Sequence, residues 1–234
     1  MHKISKNLIL IISMFIGIFS FTQSYAANYI GYVVAARGKV IIKNSYDGKS
    51  RKPRRRSKIF QGDIIITHKN SHVQLVFTDS GIVRVGPNSK YIINKYNNNE
   101  GHKLFSTELK QGSIEGTTGN IVKGKKERER EKNYLIKTRM SQLAIFGSSF
   151  STTINNEEQD VSVLTGSGEV TIGNRSLKLG PAYLQNHVLI SSGILKTDFL
   201  TKRSLMFIQA SNFAIGGGGG AHGGGGIIPS DATN

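Results

Sequence analysis

From Tyr29 to about Ser191 the chain is built of short apolar runs, many alternating with polar residues, cut every few positions by turn-forming residues. The pattern is clearest between Phe60 and Asn94. Ile64–Thr67 is a β-branched run entered through Gly62-Asp63. Val73, Leu75 and Phe77 alternate with Gln74, Val76 and Thr78, and Val83 and Val85 resume the alternation around Arg84. A period of two is that of a half-buried strand. Asp79-Ser80-Gly81 and Gly86-Pro87-Asn88-Ser89 carry turn chemistry, since Asp caps a turn, Gly accepts positive φ, and Pro fixes φ and removes a donor. Tyr91-Ile92-Ile93 starts the next strand. Gly62, Asp63, Asp79, Gly81, Pro87 and Asn88 are therefore read as structural turn residues, with the two carboxylates bonded to backbone amides.

The same reading places strands at Tyr29–Ala36, Lys39–Lys43, Leu104–Lys110, Ser113–Glu115, Tyr134–Thr138, Gln142–Phe146, Phe150–Ile154, Val161–Thr165 and Glu169–Ile172, with glycine corners between many of them. Tyr183–Ser191 adds further strand candidates. Close, regular spacing without strand–helix alternation predicts an all-β fold, a solenoid-like or sandwich-like twisted β architecture. One helix is expected within 193–215: Asp198–Ser211 starts with an N-cap residue and would dock Phe199, Met206 and Phe207 on the β core. Gly216–Gly226 holds nine glycines in eleven residues, so 216–234 reads as a flexible tail.

Two stretches interrupt the pattern. Within 44–58, Lys49, Arg51, Lys52, Arg54, Arg55, Arg56 and Lys58 crowd around Pro53. With no large apolar side chain among them, this segment predicts a protruding loop. It is a candidate polyanion-binding arm, because arginine grips phosphate oxygens with two hydrogen bonds at once. It carries no interleaved aromatic residue, so base stacking, and nucleic acid as partner, is not expected. The second insertion, 117–132, closes on Lys-Lys-Glu-Arg-Glu-Arg-Glu, whose charges almost cancel, and reads as a flexible, self-paired loop.

Taken in order, several of these motifs resemble the FecR family. Gly62-Asp63, the apolar run to Thr67, the V-x-L-x-F strand, the Asp79-x-Gly81 turn and Pro87-Asn88-Ser89 are similar to the family's central pattern. Leu109-Lys110-Gln111-Gly112, Ile136-Lys137-Thr138 and Val161–Val170 are similar to its later elements, so the likeness runs from about Val33 to Ile172 within a β domain of 27–192. The resemblance implies a solenoid-like β domain that receives a signal in the periplasm, often from an outer-membrane transporter, and passes it to a sigma-factor system. One departure is Phe146-Gly147-Ser148, where the family commonly carries Arg-Gly-Thr; a role tied to that arginine does not transfer. The seven residues before the apolar segment are too few for the cytoplasmic anti-sigma portion of such regulators.

Residues 1–26 predict an export signal: Lys3 and Lys6, an apolar segment Leu8–Phe21, then Ser24-Tyr25-Ala26, with cleavage before Ala27. That segment is short against the ~20 residues of a membrane span. A periplasmic or secreted location follows as the expectation. There is no cysteine, so an oxidising compartment offers the chain no disulfide. The formal charge is +16, and removing the two lysines of the signal leaves +14, a balance that favours envelope polyanions such as lipopolysaccharide or anionic lipid.

Catalytic chemistry is sparse. The six histidines are scattered, and His68 and His72 flank a strand start, where a spacing of four shares no face. Glu157, Glu158 and Asp160 read as a solvated acidic hairpin tip. Without a nucleophile, acid–base pair or phosphate loop, no enzyme activity and no cofactor are expected. The sequence thus points to an exported, non-catalytic binding or sensing module of the envelope whose partner is an envelope protein or glycan. The alternatives are a polyanion-binding protein that uses the basic segment and a membrane-anchored signalling partner that keeps residues 1–26.

Overall fold

The computed structural model describes residues 28–122, 132–191 and 194–198. The predicted export signal, most of the charged insertion, and everything from 199 onward, including the bulk of the expected helix and the glycine tail, lie outside the described residues.

The described chain is almost entirely β. In order the strands are β1 (Gly31–Arg37), β2 (Val40–Asn44), β3 (Ser50–Arg51), β4 (Lys58–Ile59), β5 (Asp63–Thr67), β6 (His72–Phe77), β7 (Ile82–Val85), β8 (Lys90–Asn97), β9 (Leu104–Thr117), β10 (Tyr134–Lys137), β11 (Gln142–Ile154), β12 (Glu158–Ile172), β13 (Arg175–Leu179), β14 (His187–Ser191) and β15 (Ile194–Asp198). Among the described residues one 3-10 turn spans Pro181–Tyr183. The expected helical segment 193–215 is corrected at its start. Residues Ile194–Asp198 are extended and pair with Ser191–His187, so their backbone groups bond a neighbouring strand, while the expected helix past Asp198 lies outside the described residues.

The register resolves the strands into two layers. One follows the order β13, the second half of β12, the first half of β11, β10, the first half of β9, β8, β5, β2, β3. The other follows β15, β14, the first half of β12, the second halves of β11 and β9, then β7, β6, β1, β4. Among these pairs β9 and β10 are parallel and the rest antiparallel.

Three long strands cross from one layer to the other, and each bends at a glycine of positive φ: Gly112 in β9, Gly147 in β11 and Gly166 in β12. At each bend the inward-facing set changes parity. In β9 it passes from Phe105, Thr107 and Leu109 to Ile114; in β11 from Leu143 and Ile145 to Phe150 and Ile154; in β12 from Gln159, Val161 and Val163 to Val170. An extra residue at a bend keeps both halves facing one core while the strand changes sheet. Six of the strands expected from the sequence therefore differ from what is observed in one respect: they join in pairs, and glycines read as breaks between them lie inside the continuous strands β9, β11 and β12.

The core lies between the layers. Phe77, Phe105, Tyr134 and Phe150 form a chain of ring contacts across it, with successive centroids 4.6, 4.9 and 5.5 Å apart. Such tilted contacts suit the ring quadrupoles and add to the gain from burial.

Candidate functional site

The basic segment does not protrude, contrary to the loop expected from its composition. Ser50–Arg51 pairs with the edge of β2, and Lys58–Ile59 pairs with the edge of β1. Between them the backbone is tied to β1 again, with Arg56 N–H donating to Val33 O at 2.8 Å and Val33 N–H to Ser57 O at 2.9 Å. Pro53 is buried and Ile59 has no exposed surface, while Lys52, Arg54, Arg55, Arg56 and Lys58 are exposed. The segment is an arch that runs from the edge of one layer to the edge of the other. Two-residue edge strands flanked by lysine and arginine blunt edges that would otherwise invite pairing with another chain.

One buried carboxylate anchors the arch. Asp63 is 0% exposed, and its Oδ1 accepts from Arg51 Nη1 at 3.1 Å and from Asn44 Nδ2 at 3.1 Å. Its Oδ2 accepts from Phe60 N–H at 2.9 Å and from Arg51 Nη2, which also donates to Lys58 O at 3.1 Å. The guanidinium lies 5.7 Å from the Phe60 ring centroid. A fork-shaped donor on a carboxylate is the strong form of this pairing. Arg51 thus leaves the list of candidate polyanion ligands and becomes the post of the arch. Lys58 packs over the Tyr29 ring at 5.1 Å, and Lys49 lies 3.8 Å from an Asp47 oxygen. Lys52, Arg54, Arg55 and Arg56 remain as the outward charges.

Beside the arch is a cleft of about 820 Å³, lined by Asn28, Asn44, Tyr46, Asp47, Lys49, Ser50, Arg51, Phe60 and Gln61. The turn after β2 shapes it: Asn44 Oδ1 accepts from Tyr46 N–H at 2.9 Å, and Asp47 Oδ1 from Lys49 N–H at 3.0 Å. Tyr46 is 74% exposed. The aromatic residues missing from within the basic segment are therefore supplied by its neighbours, Tyr29, Tyr46 and Phe60. No spacing in the sequence signals this, because the pairing of β1 with β4 and of β2 with β3 brings them there.

The turn residues of the FecR-like pattern lie on the other side of Asp63. Asp79 accepts from Gly81 N–H at 3.1 Å and from Ile121 N–H at 3.4 Å, and its carbonyl accepts from Asn120 N–H at 2.7 Å. The positive φ of that turn falls on Ser80 and not on Gly81. Pro87 is buried and Asn88 is exposed with φ of 50°. Next to them Ser89 Oγ donates to Pro87 O at 3.0 Å and accepts from Ser113 N–H at 2.9 Å, which fixes the turn to β9 just past its bend. Thr138 Oγ1 and Ser141 Oγ both donate to Gln159 Oε1 at 2.9 Å in the buried interior. Residues 63–171 match the family model described as FecR protein. This segment is a FecR domain.

Two crystal structures of a candidate anti-sigma factor from Parabacteroides distasonis ATCC 8503 are similar to the chain, at 16% and 17% identity with TM-scores of 0.48 and 0.47. They cover 62% and 61% of this chain, which in turn spans 64% and 62% of theirs, less than two thirds. No curated protein matches the chain.

Within the FecR domain the quoted motifs thus mark buried polar residues that fasten turns to strands. The arch and cleft, by contrast, precede residue 63, where the match begins. One further correction concerns Asp160, expected in a solvated tip. It sits within β12, and its Oδ2 lies 2.7 Å from Nε2 of the nearly buried His187 on β14. The partner is 27 residues away and carries no local signal. Phe146 and Gly147 fall at the bend of β11, where the register against β12 shifts. Among the described residues no three His, Asp or Glu side chains gather in a way that would hold a metal ion.

Proposed function

We propose that the chain is an exported, non-catalytic sensing module of the cell envelope, in which the FecR domain is the scaffold and the basic arch is the contact surface for an envelope polyanion. The observation that carries this reading is the arch itself. Four cationic side chains, Lys52, Arg54, Arg55 and Arg56, are exposed on a backbone held at both ends and in the middle. A charged segment ordered before contact loses less conformational freedom on binding than a mobile one. The formal charge of +14 left after removal of residues 1–26, from +16 less Lys3 and Lys6, draws polyanions toward the molecule as a whole. Export is supported by the pattern of residues 1–26, and the FecR domain supports a role in signal reception, with an envelope protein such as an outer-membrane transporter as a further partner.

The test is retention on immobilised heparin. Replacing Lys52, Arg54, Arg55 and Arg56 with glutamine, with Arg51 kept, should lower the salt concentration of elution markedly, because exposed charge contacts are screened by salt. A control that removes four lysines far from the arch should elute close to the parent protein. Equal elution of parent and arch variant would refute the assignment.

A further inference from the structure

The cleft beside the arch has a different chemistry from the arch. Its two cations are already compensated: Arg51 is bound to Asp63, and Lys49 lies 3.8 Å from Asp47. What it offers a ligand is the open ring of Tyr46 and neutral polar groups, beside the exposed Lys49–Asp47 pair. The Tyr46 ring rests against Gly62, where a Cβ would overlap it, so glycine at 62, with φ of 83°, backs the ring with bare backbone. Most of the ring is exposed. Around it stand the Asn28 amide, the Ser50 hydroxyl and Gln61, whose Oε1 accepts from Tyr96 N–H at 3.1 Å and whose Nε2 is left as a donor.

From this we infer that the cleft is a saccharide subsite. A pyranose ring presents C–H groups to an aromatic face and hydroxyls at its rim, which both give and accept hydrogen bonds. An aromatic platform with scattered amides and a hydroxyl matches that, in a cleft large enough for one or two sugar rings. A bare phosphate would find here only Lys49, whose exposed amine has the Asp47 carboxylate 3.8 Å away, since Arg51 is bound to buried Asp63. Because the cleft wall at Ser50 is where the arch begins, a polymer with one ring in the cleft places its next acidic groups along Lys52 and Arg54–Arg56. The ligand class is therefore an acidic polysaccharide. The inference rests on the arch as the polyanion surface and adds the part that distinguishes a sugar chain from other polyanions.

The experiment measures binding of the full chain, without residues 1–26, to three labelled probes: a heparin hexasaccharide, inorganic polyphosphate of similar charge and a single-stranded oligonucleotide. Tyr46 is largely exposed, so Tyr46→Ala should keep the parent's melting temperature. It should weaken the hexasaccharide about threefold to tenfold, the scale of one aromatic contact, and leave polyphosphate unchanged. The glutamine variant of the arch should weaken both. Unchanged hexasaccharide binding by Tyr46→Ala overturns the subsite, while the arch reading survives if its own variant still loses both probes. A larger loss for the oligonucleotide than for the sugar would make the platform a base-stacking site and also overturns it. No binding of any probe to the parent protein removes both readings.

Discussion

A carboxylate with no exposed surface, as Asp63 is, has no water to replace a lost hydrogen-bond partner. Arg51→Ala removes the two-pronged partner and leaves a buried carboxylate short of donors, at about 3 kcal/mol of stability. Arg55→Ala, on the same segment and exposed, should change stability by less than about 0.5 kcal/mol. Urea midpoints of the two variants decide the matter, and equal losses would contradict the role given to Arg51. In the sequence the two arginines look alike, members of one basic run. What separates them is a partner twelve residues away, reached through the pairing of β2 with both β3 and β5. The same blindness hid the contact of Asp160 with His187. The turn roles of Asp63 and Asp79 were legible, because Asp beside Gly is a local signal, whereas the ring of Tyr46 over Gly62 was not.

At the scale of elements, the glycines that bend the three crossing strands differ in what surrounds them. Around Gly147 a Cβ would meet nothing within 4 Å, so Gly147→Ala costs only the left-handed backbone, about 1 kcal/mol. At Gly112 the same Cβ would run into Ser89, the residue that ties the Pro87-Asn88 turn to β9. Gly112→Ala should therefore lose a further 1–3 kcal/mol or so through overpacking. Thermal melts of the pair should rank in that order, and the reverse ranking would mean that the bend of β9 is not pinned by Ser89. The existence of most strands could be read from alternation alone. Their continuity could not, because the change of parity at Gly112, Gly147 and Gly166 looks the same in sequence as the end of one strand and the start of another. The start of the segment expected to be helical, 194–197, is a strand for a related reason: nothing local marks it as one, and only the pairing with β14 shows that it is extended.

Taken as a whole, the molecule is two sheets around one aromatic-rich core, closed at one end by the basic arch. That core should make the protein sensitive to alkali. Burial pushes Tyr96 up to about 12, and raises Tyr91 and Tyr134 as well. Raised values in the folded state mean that stability is fully present below the ordinary tyrosine range near 10 and is lost as pH rises from about 10 toward 12. With no tryptophan in the chain, phenolate absorbance should appear in two steps, exposed tyrosines first and the buried ones together with unfolding. A single step near pH 10, with the fold intact, would contradict the core as described. The all-β architecture was visible in composition and pattern. The closed end was not, since a basic run without large apolar residues reads as solvated until its backbone is seen pairing with two sheet edges. The central claim is that this end is the contact surface, and hydrogen exchange of the full chain with and without a heparin hexasaccharide tests it most directly. Slowed exchange confined to peptides covering Asn44–Gln61 is the predicted result. Slowing at β13 and β15 instead, with Asn44–Gln61 unchanged, would place the contact at the opposite end and contradict the account.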